Sequence, residues 1–307
     1  MDNLSRLLSL YPVRTALDVR CHFGAPWLLD HPPAMRGVAP YHLVTRGAAQ
    51  VEGIDGLLLA AGDLIVFPHG GAHRLHIGDP ALATPLHGAA DETADSGMLR
   101  YKGNHGAGAP TDILCGEFRF DMDRPDGGLL AALPPVLVVR GSGQGARGLR
   151  QVIDLLQGEA EAPGDGSDAI VRQLASALFA LSIRAWLAQT PAVPGLFALL
   201  AERRVQPAVH AMLDAPQQPW TLATLAALCH MSRATFARVF GHAAGAAPLA
   251  VLTQLRMAQA ARLLETGQHA AGMVAEMVGY QSEAAFHRAF KRRYGVGPGA
   301  WRRQAPR

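Results

Sequence analysis

One nine-residue pattern occurs twice in this 307-residue chain, and the repeat constrains the fold more than any other feature. Residues 232–240 and 282–290 share S-x3-F-x-R-x-F at an interval of 50. Self-similarity at a fixed interval marks a repeated supersecondary unit. The serines, Ser232 and Ser282, suit a helix start, where their hydroxyls accept from the N–H groups that the first turn leaves free. Phe at +4 and +8, with Val239 or Ala289 at +7, then falls on one helical face. Arg at +6 falls on the opposite face with positions +2 and +5. Each copy is therefore expected to be a short helix with a buried aromatic stripe and an outward arginine.

The text before each copy completes a motif. Thr221 caps a first-helix pattern that ends near Cys229, and His230-Met231 turns tightly into Ser232. In the second copy residues 272–279 lead through Tyr280-Gln281 into Ser282, and Gly279 suits the left-handed residue that closes a helix. Short helix, tight turn and capped helix make a helix-turn-helix, here present twice. Between the units, residues 248–266 read as one helix, with Pro248 at its start and Gly267 past its end. Its 19 residues span roughly 28 Å at the helical rise. One turn of B-DNA is ~34 Å, so a rod of this length could hold two recognition helices near successive major grooves.

Charge supports a polyanion partner on one side. Residues 216–307 carry ten arginines and Lys291 against three acids, a balance of +8, whereas the other 215 residues balance at −5. The overall +3 hides this asymmetry. A solvated basic surface is the alternative that charge alone leaves open.

At this point the residues carry a family resemblance. The stretches PWTLATLA, MSRATFARVF, RMAQAARLL and VAEMVGYQSEAAFHRAFKRRYGVGPGAWRR stand in order within residues 205–305. Together they resemble the DNA-binding domain of the AraC/XylS transcription regulators. The resemblance implies sequence-specific binding to double-stranded promoter DNA, with a partner domain that senses a small molecule or sets oligomeric state. Carried over by position, it implies base contacts from Ala234, Ala237 and Arg238 in the first unit. In the second it implies Glu283, Ala284, His287 and Arg288. An arginine fork suits guanine O6/N7, Glu accepts from cytosine N4, and Ala touches only a thymine methyl. Arg233, Lys291, Arg292 and Arg293 better suit phosphates, which position without specifying.

The first 142 residues read differently. From about residue 20 to 121, short apolar segments (41–46, 56–60, 64–67, 72–77) are bounded by Gly, Pro or Asp, and residues 113–121 alternate. Leu114, Phe118 and Phe120 share one face of that alternation, and Cys115, Glu117 and Arg119 the other. Many short strands mean a sandwich or small barrel. The polar stretch 81–97 reads as a long loop. Gly62, Pro68, Gly70 and His73 fit G-x5-P-x-G-x2-H, which resembles the second motif of cupins, and His73 would point into the barrel. Only His42 stands for the first cupin motif, and its i+2 partner is Val44, so the usual three-His-one-Glu metal site is incomplete. His42, His69, His73 and Cys115 are the candidate replacement ligands, for zinc or another divalent ion. The competing reading makes His42 and His73 hydrogen-bonded core histidines and Cys115 a small buried apolar residue.

Residues 143–204 read as a helical connector. Leu149, Val152, Ile153, Leu155 and Leu156 fit one face, and Leu174, Leu178, Leu181, Ala185 and Trp186 a second, ended by Pro191 and Pro194. This region could pack on the barrel or on a second copy of the chain as a homodimer element. The most apolar run, between Arg172 and Arg184, reads as too short to span a bilayer. Three cysteines without a C-x-x-C pair, and an N-terminus without a signal-peptide pattern, favour a reducing, cytoplasmic setting. The fold expected is multidomain α+β: a cupin-like β-barrel over 1–142, the helical connector, and an all-α domain with two helix-turn-helix units over 205–305. The function expected is a DNA-binding transcription regulator acting on promoter DNA, with a small-molecule effector and RNA polymerase as further partners, and no membrane. A cupin metalloenzyme with an appended DNA-binding tail is the alternative; a non-specific DNA-packaging protein fits two matched recognition helices poorly.

Overall fold

The computed structural model describes residues 1–304 apart from 12, 84, 88–99, 105, 121–128, 163, 191, 192 and 194. Most of the expected loop 81–97, and the terminating prolines Pro191 and Pro194, lie outside the described residues. The chain divides into two compact units. One comprises Val13–Phe120 and Leu133–Pro191; the other comprises Met1–Pro12, Asp121–Ala132 and Ala192–Arg307.

The first unit is built on two sheets. Its strands are β1 (Val13–Gly24), β2 (Trp27–His31), β3 (Val38–Arg46), β4 (Ala48–Val51), β5 (Leu58–Ala60) and β6 (Leu64–Val66). β7 (His73–Ile77), β8 (Pro85–His87), β9 (Arg100–Gly103), β10 (Pro110–Phe120) and β11 (Leu137–Val139) complete them. The six-stranded sheet has the order β11-β6-β3-β10-β1-β9, and the five-stranded sheet β5-β4-β7-β2-β8. Period-2 alternation sends one side chain of each pair inward. Val19, Cys21, Phe23, Val44, Ile65 and Ile113 from the first sheet meet Trp27, Leu29, Val51, Leu59 and Leu75 from the second in one core. Strand β10 is buried on both faces, because Phe118, on the face away from that core, stacks on Tyr41 at 4.5 Å.

That outer face explains where the connector goes. Numbered in chain order, the helices begin with α1 (Asn3–Leu10), α2 (Arg147–Glu161) and α3 (Ser167–Gln189). Phe179 of α3 packs edge-on against Phe118 and Phe120, with ring centroids at 5.0 and 5.4 Å. Ala175, Leu178, Ile183 and Trp186 are buried beside it, and Leu174 and Leu181 are half-buried. The Gln189 amide clamps the backbone of Arg140, accepting from its N–H at 2.8 Å and donating to its carbonyl at 3.0 Å. The buried Asp63 receives the Arg140 guanidinium at 2.7 Å and the Gly141 N–H at 2.9 Å. The boundary drawn at residue 142 is therefore displaced: β11, α2 and α3 belong with the sheets. Leu178, read as a candidate self-association residue, is spent on the intrachain core. By length and composition α3 is apolar enough to cross a bilayer, contrary to the short run counted from sequence. Its packing on β1 and α2 identifies it as a core helix.

The second unit is helical. It holds α1 together with α4 (Ala198–Ala201), α5 (Gln206–Asp214), α6 (Leu222–Leu228) and α7 (Arg233–Ala244). α8 (Pro248–Glu265), α9 (Ala271–Met277), α10 (Glu283–Tyr294) and α11 (Pro298–Gln304) follow. The first twelve residues thus belong here and not with the barrel, as the domain boundaries assumed. Leu7 of α1 is buried, and α1 packs on α5 and α8. Arg6 pairs with Asp214, and Arg262 donates to the Ser9 carbonyl at 2.8 Å.

Candidate functional sites: a paired DNA reader and a thiol–imidazole cluster

The two repeats fold as the pattern requires. Thr221 and Thr224 form a reciprocal capping box at the start of α6. The Ser232 hydroxyl accepts from Thr235 N–H at 3.2 Å, and Ser282 from Ala285 N–H at 3.4 Å, so both second helices begin where the serines stand. Phe236, Phe240, Phe286 and Phe290 are wholly buried. Around the second unit Met257, Leu264, Val274, Val278, Tyr294 and Trp301 complete the core with the last two. The two turns differ. Four residues separate α6 from α7 and five separate α9 from α10, and the left-handed position is His230 (φ 52°) in one and Gly279 (φ 85°) in the other.

The outward face of each second helix carries the expected residues. Arg233, Ala234 and Arg238 on α7 are exposed, and Ala237 is half-buried. Glu283, Ala284, His287, Arg288, Lys291 and Arg292 on α10 are exposed. Glu283 Oε1 lies 3.7 Å from His287 Nε2, one turn apart on the same face. Not every basic residue of this third is free for DNA. Arg256 of α8 is turned inward, donating to the carbonyls of Pro216 at 2.7 Å and Gln218 at 2.8 Å. Its guanidinium lies 6.0 Å from the Tyr280 ring centroid, so one side chain ties the segment before α6 to the turn before α10. Arg256 and Arg262 counted toward the +8 in the sequence, where nothing distinguishes a structural arginine from one facing a ligand.

In the first unit the candidate metal set separates. His69 is exposed and its Nε2 donates to the Leu133 carbonyl at 3.1 Å, away from the others. Among the described residues, no group of three or more His, Cys, Asp or Glu is arranged to hold a metal ion. The expectation of a four-ligand site from His42, His69, His73 and Cys115 is therefore corrected: strand β7 begins at His73, so the preceding turn carries His69 outward. His42, His73 and Cys115 do meet, and two residues that sequence reasoning missed, His31 and Cys21, join them. His42 Nε2 lies 2.7 Å from His73 Nε2, and His42 Nδ1 lies 3.1 Å from Cys115 Sγ. Cys115 Sγ is 3.8 Å from Cys21 Sγ. The His73 ring is sandwiched between Phe67, at 3.6 Å, and His31, at 4.7 Å.

Proton positions follow from one carbonyl. Burial lowers His73 to about 4 and His42 well below the usual imidazole value, the latter helped by the neighbouring His73, so both rings are neutral near pH 7. The Gly71 carbonyl, 2.8 Å from His73 Nδ1, can only accept, so Nδ1 carries the His73 proton. His73 Nε2 is then an acceptor, and His42 Nε2 donates to it. His42 Nδ1 is in turn an acceptor, and the Cys115 thiol donates to it. The Cys115 thiol is raised well above its ordinary range, first by its hydrogen bond with Cys21 and then by burial. The signal for Cys21 was the alternation Val19, Cys21, Phe23, which places it on the inner face of β1. Cys21, Cys115, His31 and His42 line a cavity of about 200 Å³, with Lys102 and Glu117 among its other walls.

Comparison with known proteins agrees with both units. The family described as Cupin matches residues 2–188, and that described as Helix-turn-helix domain matches residues 225–304. The RCS-specific HTH-type transcriptional activator RclR of Escherichia coli (strain K12) is 33% identical over 306 residues, covering 98% of this chain and 97% of its own. The HTH-type transcriptional regulator MtrA of Neisseria gonorrhoeae is 30% identical over 310 residues, covering 99% of each chain. A putative AraC-like transcription regulator of Streptomyces lividans is 31% identical over 309 residues, covering 99% of this chain and 98% of its own. This chain is an AraC-type transcriptional regulator. Among solved structures, the DNA-binding domain of AdpA in complex with a target DNA covers 33% of this chain and 89% of that one, at 37% identity and a TM-score of 0.31. The regulator is not an enzyme: the relatives that match it from end to end are named as transcriptional regulators. Its helix-turn-helix domain makes DNA its partner.

Proposed function

We propose that this AraC-type regulator reads a bipartite promoter site through α7 and α10, and that its barrel cavity receives the controlling signal. The observation that carries the reading is the matched exposure of Arg238 and Arg288 at the same step of two capped helices. Arg238, flanked by Ala234 and Ala237, reads one half-site through a single fork, with shape and methyl contacts beside it. Arg288 reads the other in company with Glu283 and His287, while Ala284 leaves room for the base. Arg233, Lys291 and Arg292 hold phosphates. The chain works in the cytoplasm as a homodimer and acts on transcription through contact with RNA polymerase. The test is selection of duplexes from a random library by the full-length protein. Two conserved half-sites about one helical turn apart support the reading. Enrichment without any shared sequence sinks it, and equilibrium sedimentation on the selected duplex checks the dimer.

A further inference from the structure

Cys21 and Cys115 are diagonal neighbours on antiparallel strands. Cys115 stands opposite Val19, and Cys21 opposite Ile113, so both thiols lie on the barrel-facing side of β1 and β10. Both line the cavity, whose volume of about 200 Å³ admits a molecule of a few heavy atoms. They differ in surroundings. Cys115 is half-buried and its proton is directed at His42 Nδ1, whereas Cys21 is 1% exposed and reaches Cys115 alone among the polar groups described around it. The third cysteine, Cys229, lies in the other unit. Nothing in the DNA-reading function uses this cluster.

We propose that Cys115 and Cys21 form an oxidant-sensing dithiol, in which Cys115 takes the oxidant, His42 accepts its proton, and Cys21 closes the disulfide. The oxidant is a two-electron reagent A–B, such as hydrogen peroxide (HO–OH) or hypochlorous acid (Cl–OH). The Cys115 sulfur attacks A; the S–A bond forms, the A–B bond breaks with its electron pair on B, and the thiol proton passes to His42 Nδ1. The His42 Nε2–H···His73 hydrogen bond disperses the charge that this transfer places on the ring, and the Lys102 ammonium in the cavity wall favours the departing anion. The Cys21 sulfur then attacks the Cys115 sulfur. The S–S bond forms, the S–A bond breaks, and A leaves with its electron pair and the Cys21 proton. His42 hands its proton to the departing B, which restores the neutral ring. In sum two thiols and A–B become one disulfide, HA and HB, and the two electrons end on the oxidant. Bonding brings the sulfurs from 3.8 Å to about 2.05 Å, which draws β1 and β10 together at the cavity wall.

The full-length protein, reduced and then treated with one equivalent of either oxidant, tests this without any DNA, so the chemistry stands or falls apart from the operator reading. Differential alkylation against time, read by peptide mass spectrometry on the unsubstituted chain, should show Cys115 disappearing first, a linked Cys21–Cys115 peptide following, and Cys229 still free. With hydrogen peroxide, Cys21→Ser should leave Cys115 as a sulfenic acid that dimedone captures, and Cys115→Ser should leave Cys21 unreacted. His42→Gln should slow the first step by at least about tenfold while the two thiols remain able to link. Loss of Cys21 before Cys115, or oxidation of Cys229 at an equal rate, overturns the assignment. Sensing adds a second arm, affinity for a duplex selected by the reduced protein. Oxidation should change it by about fivefold or more in the unsubstituted chain and not in Cys21→Ser. An unchanged affinity overturns the sensing role.

Discussion

Gly279→Ala should be among the most damaging single-methyl additions in the DNA-binding unit, and the structure separates its two costs. At φ +85° the backbone is left-handed, which costs an alanine ~1–2 kcal/mol. The added Cβ would also lie 2.5 Å from the Gln217 carbonyl oxygen and 2.8 Å from Gln217 Cα, backbone atoms that cannot swing aside. Overpacking of this kind adds ~1–3 kcal/mol. The sum, ~2–5 kcal/mol, should speed exchange of the amides in α9 and α10 by roughly 30-fold to several thousandfold. Gly295 supplies the control: it is left-handed at φ +76° with no atom within 4 Å of an added Cβ, so Gly295→Ala should cost only the backbone share, ~1–2 kcal/mol. Hydrogen exchange read by peptide mass spectrometry is the assay, because it isolates this unit from the barrel. The same displacement moves Gln218, whose carbonyl accepts from Arg256, so DNA affinity should fall with Gly279→Ala and hold for Gly295→Ala. Equal losses in the two variants would refute the overlap argument.

Three further outcomes follow from the same structure. Arg238→Ala should cost ~1–3 kcal/mol and nearly flatten preference in one half-site, while Arg288→Ala should leave residual preference in the other; Lys291→Ala should weaken all sequences alike and lower the salt slope by about one, all read from affinities for a library of site variants at two salt concentrations. A uniform loss for Arg238→Ala would assign it to phosphate. Leu178→Ala should destabilise the barrel unit by ~2–5 kcal/mol in denaturant titrations, since the side chain is wholly buried, and leave self-association unchanged in sedimentation. His73 is held at about 4 in the fold against 6.5 when free, so below pH 6.5 the unfolded chain binds the proton that the folded chain refuses. The barrel should therefore lose up to about 3 kcal/mol between pH 6.5 and 4, with His42 adding in the same direction, and His73→Gln should flatten that slope. A wild-type unfolding profile level across that range would contradict the burial of these rings.

Local signals alone are enough to specify the reader. Capping serines, aromatic spacing, the proline at the start of α8 and Gly279 all act within a few residues of one another, and helix signals of that range survive any tertiary context that leaves the helix formed. The second cupin-like motif was legible for the same reason: Gly62 and Gly70 take the left-handed turns that their pattern implies. Pairing at a distance came from the packing of the folded chain. Cys21 and Cys115 stand 94 residues apart, and only the register of β1 on β10 makes them neighbours. His69 and His73 share one turn of sequence, yet strand geometry sends one to the Leu133 carbonyl and the other to His42. The connector's apolar stripe was visible as a stripe, but a stripe does not name its partner, and the aromatic outer face of β10 claimed it for the barrel. Arg256 and Arg262 counted toward the basic balance of the sequence, and only the folded unit supplies the backbone carbonyls that accept from them. Local pattern specifies which groups a segment presents; long-range packing decides which of them are left over for a ligand.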